Sequence, residues 1–170
     1  MKPLIAFLTL CILSLSSYSQ TYPSPEFNNE PSYYDTTTHA LIGLEKSSYN
    51  RLNQAKGLMG KEAGFFLEHA KSSVRFKSSP AISFIMKVTP GTNPTSILDF
   101  AAFEIRGDQR VLITTKLTKA GTKSTTSVEK ITYQVQKIGE GLYLLTATNI
   151  KPGEYLLGTH DNMFAFGIDN

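Results

Sequence analysis

The chain has 170 residues, 41% of them hydrophobic and 18% charged, with 17 Lys and Arg against 14 Asp and Glu. A balance this near neutral marks no polyanionic partner, and the length suits one domain with a real core. One cysteine and no tryptophan exclude an internal disulfide framework and remove the favoured stacking platform for sugars.

At the N-terminus Lys2 precedes an apolar run, Leu4 to Leu15, interrupted only by Thr9 and Ser14. Ser17-Tyr18-Ser19 then puts small residues where a signal peptidase wants them for a cut before Gln20. Residues 1–19 therefore read as a cleaved signal peptide, and the expected location is secreted or periplasmic. The apolar run is too short for a hydrocarbon core that needs about 20 residues, so no membrane insertion is expected after cleavage. Cys11 lies inside this run behind Leu8-Thr9-Leu10, a bulky setting for a lipoprotein site, and leaves with the peptide. No thiol nucleophile or thiolate metal ligand then remains. Losing Lys2 takes the cations from 17 to 16 against 14 acids, a net of +2.

Residues 20–38 are rich in Pro, Asn, Ser, Thr and Tyr. Pro23, Pro25 and Pro31 oppose regular pairing, so the segment reads as an extended leader, with Phe27, Tyr33 and Tyr34 docking on the domain. Residues 39–170 read as a single domain of short apolar runs divided by turn residues. Between Leu41 and Phe76, the positions Leu41, Leu44, Ser48 and Leu52 would suit a helix face. Gly57, Gly60 and Gly64 oppose it, each costing about 1 kcal/mol in a helix interior. A long twisted hairpin, Ala40–Lys56 with Gly64–Phe76, is the expectation.

Ala81 to Val88 has the clearest strand period, with Ile82, Phe84, Met86 and Val88 on one face. Ile97 to Ile105 is the next strand, Arg106 to Gln109 a hairpin turn, and Val111 to Leu117 its returning partner. A polar loop over 120–126 leads to a strand from Val128 to Ile138 carrying Ile131, Tyr133 and Val135 on one side. Gly139-Glu140-Gly141 turns the chain into Leu142 to Thr148. Lys151-Pro152-Gly153-Glu154 fits a type II turn with Gly153 at positive φ. Tyr155 to Leu157 and Met163 to Ile168 are strands either side of a turn at His160-Asp161-Asn162. Adjacent hairpins without crossover helices predict an all-β fold, an antiparallel β-sandwich, with a squashed β-barrel as the alternative.

Several fragments resemble an uncharacterised family of small exported, β-rich proteins from Bacteroidetes-type bacteria. They are Leu44-Glu45-Lys46, Ser73-Val74-Arg75-Phe76, Pro80, Phe84-Ile85-Met86-Lys87-Val88, Gly153-Glu154-Tyr155 and Phe164-Ala165-Phe166-Gly167-Ile168-Asp169. Together they span Leu44 to Asp169, and their order carries the likeness. The chain departs from it at Asn93-Pro94, where Asp-Pro is commoner, and at Ala101-Ala102, where larger or charged residues are usual. The resemblance implies export and a β-rich domain, and brings no activity or functional residue with it.

Ser127-Val128-Glu129-Lys130 matches Ser-x-x-Lys, but on a strand residues three apart face opposite ways. No Gly-x-Ser-x-Gly elbow, phosphate-cradling loop or dinucleotide fingerprint occurs. His39, His69 and His160 lack metal-ligand spacing, and His160-Asp161 suits a polar turn as well as a metal. Asp99, Glu104, Asp108, Glu140, Glu154 and Asp161 offer carboxylates for acid–base work, and spacing selects no pair among them. Lys119, Lys123 and Lys130 have no interleaved aromatics, which argues against a nucleic-acid face. Arg106-Gly107-Asp108 spells an adhesion tripeptide, although turn chemistry selects Gly and Asp there regardless.

These readings lead to an expectation of a non-enzymatic exported binding or structural domain of the bacterial envelope. Its partner would be an envelope protein or a glycan, and neither cofactor nor metal is called for. Tyr33, Tyr34, Arg106 and Asp108 are the candidate binding residues. The alternative is a hydrolase of envelope or extracellular polymers with a dispersed carboxylate/His site. A third reading is an inhibitor or adhesin presenting the Arg106 loop.

Overall fold

A computed structural model describes residues 21–55, 60–117, 124–126, 128, 130–158 and 162–170. The signal-peptide expectation, Lys119, Lys123, Ser127, Glu129 and the His160-Asp161 turn lie outside the described residues. In chain order the strands are β1 (Ser32–Tyr34), β2 (Leu41–Gly43), β3 (Glu45–Lys46), β4 (Asn50–Ala55) and β5 (Lys61–Glu68). Next come β6 (Arg75–Lys77), β7 (Ala81–Lys87), β8 (Asp99–Ala102), β9 (Glu104–Arg106) and β10 (Gln109–Leu117). The last are β11 (Ser124–Thr126), β12 (Gln134–Gly139), β13 (Leu142–Thr148), β14 (Gly153–Gly158) and β15 (Met163–Asp169).

The strands form three sheets, none closed into a barrel. The fold is all-β and sandwich-like, as the alternating pattern predicts, and the squashed barrel is set aside. A flanking sheet runs β12-β13-β7-β1-β2. A central sheet runs β8-β14-β15, with β3 and the parallel β6 sharing the far edge of β15. A third sheet runs β4-β5-β10, with β9 and β11 on the remaining edge of β10.

The central sheet is buried on both faces, so β14 and β15 read as near-continuous apolar runs instead of alternating ones. On one face, Phe100, Tyr155, Leu157, Phe166 and Ile168 pack against Ile82, Phe84, Met86 and Leu145 of the flanking sheet. Phe166 sits among the rings of Phe84, Phe100 and Tyr155, with centroids 5.1 to 5.9 Å away, within the range of favourable aromatic contact. On the other face, Ala101, Leu156, Met163 and Ala165 meet Leu67 and Leu112 of the third sheet.

The third sheet coils. Register places Arg106 beside Gln109 and Glu62 beside Lys116, positions about 20 Å apart along an extended strand. Yet the Arg106 guanidinium meets the Glu62 carboxylate at 2.9 Å. A register shift between Ile113 and Thr115 supplies the bend, as bulges do. Leu52, Val111 and Ile113 are thereby buried on the concave side.

Several expectations change in detail. The supposed leader contributes β1, which lies between β7 and β2; the prolines stop short of it, and Pro25 and Pro31 are buried. Phe27 stays 57% exposed and does not dock. The strand expected over Ile97–Ile105 breaks at Phe103, whose N–H donates to the Glu154 carbonyl at 2.8 Å. β8 therefore belongs to the central sheet, and only the short β9 pairs with β10. The expected long hairpin survives as β4–β5, while its outer ends join other sheets as β2, β3 and β6. The strand expected from Val128 begins at Gln134, although Ile131 and Tyr133 still pack on the core. Gly153 opens β14, and the positive φ near that corner belongs to Asn149 at 58°, so no type II turn forms around Pro152-Gly153.

Candidate functional site

Three features differ from ordinary packing: a cleft, an apolar cavity beside it, and a charge network. The cleft, about 660 Å³, opens where β8 ends and the chain leaves the central sheet. Val111 and Ile113 form one wall from the concave side of the coiled sheet. Ile131 and Ile150 line it too, from segments packed on the core of the flanking sheet. Polar groups enter from Glu104, Lys116, Thr132, Thr148 and Lys151. Tyr155 also lines it, and its hydroxyl donates to the Lys151 carbonyl at 2.5 Å. Burial raises the Tyr155 phenol above its ordinary value, so it stays neutral there.

A second cavity of about 340 Å³ lies between the central and coiled sheets, with Phe65, Ala101, Leu156 and Met163 in its lining. Leu112 and Val128 border both spaces. Asp99, the one carboxylate of its lining among the described residues, accepts from Lys130 Nζ at 2.7 Å.

The charge network occupies the other end of the same interlayer, near β3 and β6. Arg110, only 2% exposed, sends two N–H groups to Glu45, at 2.6 and 3.0 Å, and others to the carbonyls of Glu68 and His69. Burial alone would push the Glu45 carboxyl up. Hydrogen bonds from Arg110, Ser47, Ser72 and the Ser73 amide outweigh it and hold the carboxyl at about 2. The Ser72 amide donates to buried Glu154, which also receives Arg75 Nη1 at 2.5 Å. Asp169 and Glu154 bond the Arg75 guanidinium and raise its pKa further. Gly167 makes this possible, because a Cβ there would stand 2.3 Å from Arg75 Nη1.

The four candidate binding residues do not converge. Tyr33 stacks on Phe76 with centroids 3.9 Å apart, and Tyr34, 3% exposed, meets His39 Nδ1 at 2.6 Å. Both rings are engaged in packing. Arg106 grips Glu104 through two nitrogens and Glu62 through the third. Gly107 takes φ 61° in the β9–β10 turn, as the first central residue of a type II′ hairpin requires. Asp108 is exposed at that tip, where it accepts from the Ala70 amide and lies 3.7 Å from His69 Nδ1.

The carboxylates and histidines are also dispersed. Among the described residues Glu104 alone of the set Glu104, Glu154 and His69 borders the cleft, and Glu154 lies under Arg75. Among the described residues no cluster of His, Cys, Asp and Glu is arranged to hold a metal ion. Sequence reasoning missed Arg110 and Glu45. Arg110 shares a strand face with Leu112, and an arginine at an inward position of an apolar strand demands an acidic partner; that was the available signal. The cleft gave none, because its walls come from three distant segments.

No protein-family model, curated protein or solved structure matches the chain.

Proposed function

We propose that this chain is an exported, non-enzymatic binding domain of the bacterial envelope, and that the cleft at the end of β8 takes its ligand. One observation carries the reading: a space of about 660 Å³ with mixed apolar and polar walls, within the range of about 300–1,000 Å³ usual for ligand pockets. The charged groups around it support binding over catalysis. Glu104 is held by Arg106 through two nitrogens, so it is poorly placed to move a proton. Export is supported by the N-terminal apolar run and by the resemblance to small exported β-rich proteins. A hydrolase would want at least two acids or imidazoles facing one cavity.

The test is native mass spectrometry of the purified mature chain after incubation with a bacterial envelope extract. A retained adduct is expected, and Thr132→Trp, which fills the cleft from an exposed position, removes it. An unliganded spectrum, or an adduct indifferent to Thr132→Trp, refutes the assignment. Turnover of an envelope polymer that is lost on changing Glu104 alone would replace it with the hydrolase.

A further inference from the structure

We propose that the cavity between the central and coiled sheets is a second binding site, for a compact, uncharged apolar molecule of one or two rings. The cavity, about 340 Å³, far exceeds the water-sized voids of a packed interior. An apolar protein cavity of roughly 150 Å³ already accepts benzene, so this one has room for a two-ring molecule.

The sequence of the central sheet makes the space. Register sets Leu156 between Ala101 and Ala165, and Gly158 between Asp99 and Met163. Two alanines and a glycine therefore lie around Leu156 on the face toward the coiled sheet. The face toward the flanking sheet carries Phe100, Tyr155, Leu157 and Phe166 instead. Across the interlayer stand Phe65 and Leu112, a cross-strand pair of the coiled sheet. Sheets pack about 10 Å apart, a spacing that rings fill on one side and small residues leave open on the other.

The lining selects the ligand. Among the described residues its polar side chains are Thr114 and Asp99, and both have protein partners. Thr114 Oγ1 donates to the Ala63 carbonyl at 3.2 Å, and Asp99 accepts from Lys130 Nζ at 2.7 Å. Water finds few of the two to four partners it needs there. A charged ligand would lose hydration with no counter-charge left to replace it. The side chains of Asp99 and Lys130 are 47% and 61% exposed, so the cavity reaches solvent beside a pair whose charges cancel. An apolar ligand gains dispersion contacts with Phe65, Leu112, Leu156 and Met163. This site does not depend on the reading of the cleft.

The experiment follows the amide resonances of the mature chain by NMR during separate titrations with naphthalene and 2-naphthoate. Naphthalene, up to its solubility limit, is expected to shift the amides of Phe65, Ala101, Leu156 and Met163 saturably. The charged 2-naphthoate binds about tenfold more weakly or worse. Ala101→Leu fills the cavity from the central sheet and Thr114→Leu from the coiled sheet, and each abolishes the naphthalene shifts. At least one of them keeps the wild-type Tm, because its added methyls enter the cavity; in close-packed surroundings both would be destabilising. Thr132→Trp, in the cleft, leaves naphthalene binding unchanged. The proposal is overturned by no saturable shift, by 2-naphthoate binding as well as naphthalene, or by shifts that survive the filling variants. A marked fall in Tm or a failure to fold in both variants also overturns it, because the interlayer then has no room for added atoms.

Discussion

Replacing Arg110 by Met tests the interlayer charge network. The guanidinium is buried and makes four hydrogen bonds, two to Glu45 and two to backbone carbonyls. Methionine fills much of the volume but leaves the Glu45 carboxylate without its cation, and the carbonyls of Glu68 and His69 lose those donors. Breaking a buried ion pair by removing one partner costs about 3–5 kcal/mol. For a domain of this size, about 2–4 °C per kcal/mol converts that to a fall in Tm of roughly 6–20 °C, read by circular dichroism.

The same pair has a pH signature. Glu45 sits at about 2 against an ordinary 4.5, a depressed folded value. Its stabilisation is therefore complete above about pH 4.5 and is lost as pH falls toward 2. At about 1.4 kcal/mol per pKa unit, discounted for partial solvent contact, the wild type gives up roughly 1–3 kcal/mol across that window. Glu45→Gln lacks this component of the slope. An Arg110→Met protein within about 1 kcal/mol of wild type, or identical acid profiles for wild type and Glu45→Gln, refutes the reasoning.

Gly167→Ala puts a Cβ 2.3 Å from Arg75 Nη1, expels the guanidinium and leaves Glu154 buried without its cation; a loss of about 2–4 kcal/mol is expected in urea unfolding. Gly64→Ala puts a Cβ 2.0 Å from the Leu112 carbonyl oxygen. Both neighbours there are backbone, so β5 and β10 must separate, and a loss of about 3 kcal/mol or more is expected in the same assay. Gly107→Val, at φ 61°, costs about 1–2 kcal/mol through strain at the hairpin tip, read in the same assay.

The strands with one buried face were legible from their period. Ile82, Phe84, Met86 and Val88 point where the alternation puts them, although Ile85 on the opposite face is fully buried as well, and the β9–β10 turn falls at Gly107-Asp108. The division into three sheets was not legible. Phe103 carries the chain from the central to the coiled sheet inside one apolar run, and a change of sheet leaves no break in hydrophobicity. The double burial of β14 and β15 was half-visible in Tyr155-Leu156-Leu157 and Phe164-Ala165-Phe166, where apolar residues occupy both faces. Among the candidate site residues, Tyr33 and Tyr34 are packing groups and Arg106 an ion-pair group, whereas Asp108 stays exposed at the hairpin tip. Tyr33 faces the core because β1 lies within the flanking sheet, and Tyr34, on the opposite face, packs against the rings of Tyr22 and His39; composition around the prolines concealed both.

Hydrogen–deuterium exchange tests the layered arrangement that creates the cleft and the cavity. The amides of Leu156, Leu157, Ala165 and Phe166 should exchange only through global unfolding, outlasting those of β12 and β4 at the open sheet edges. Exchange of β14 and β15 as fast as those edges would mean that the central sheet is not covered on both sides.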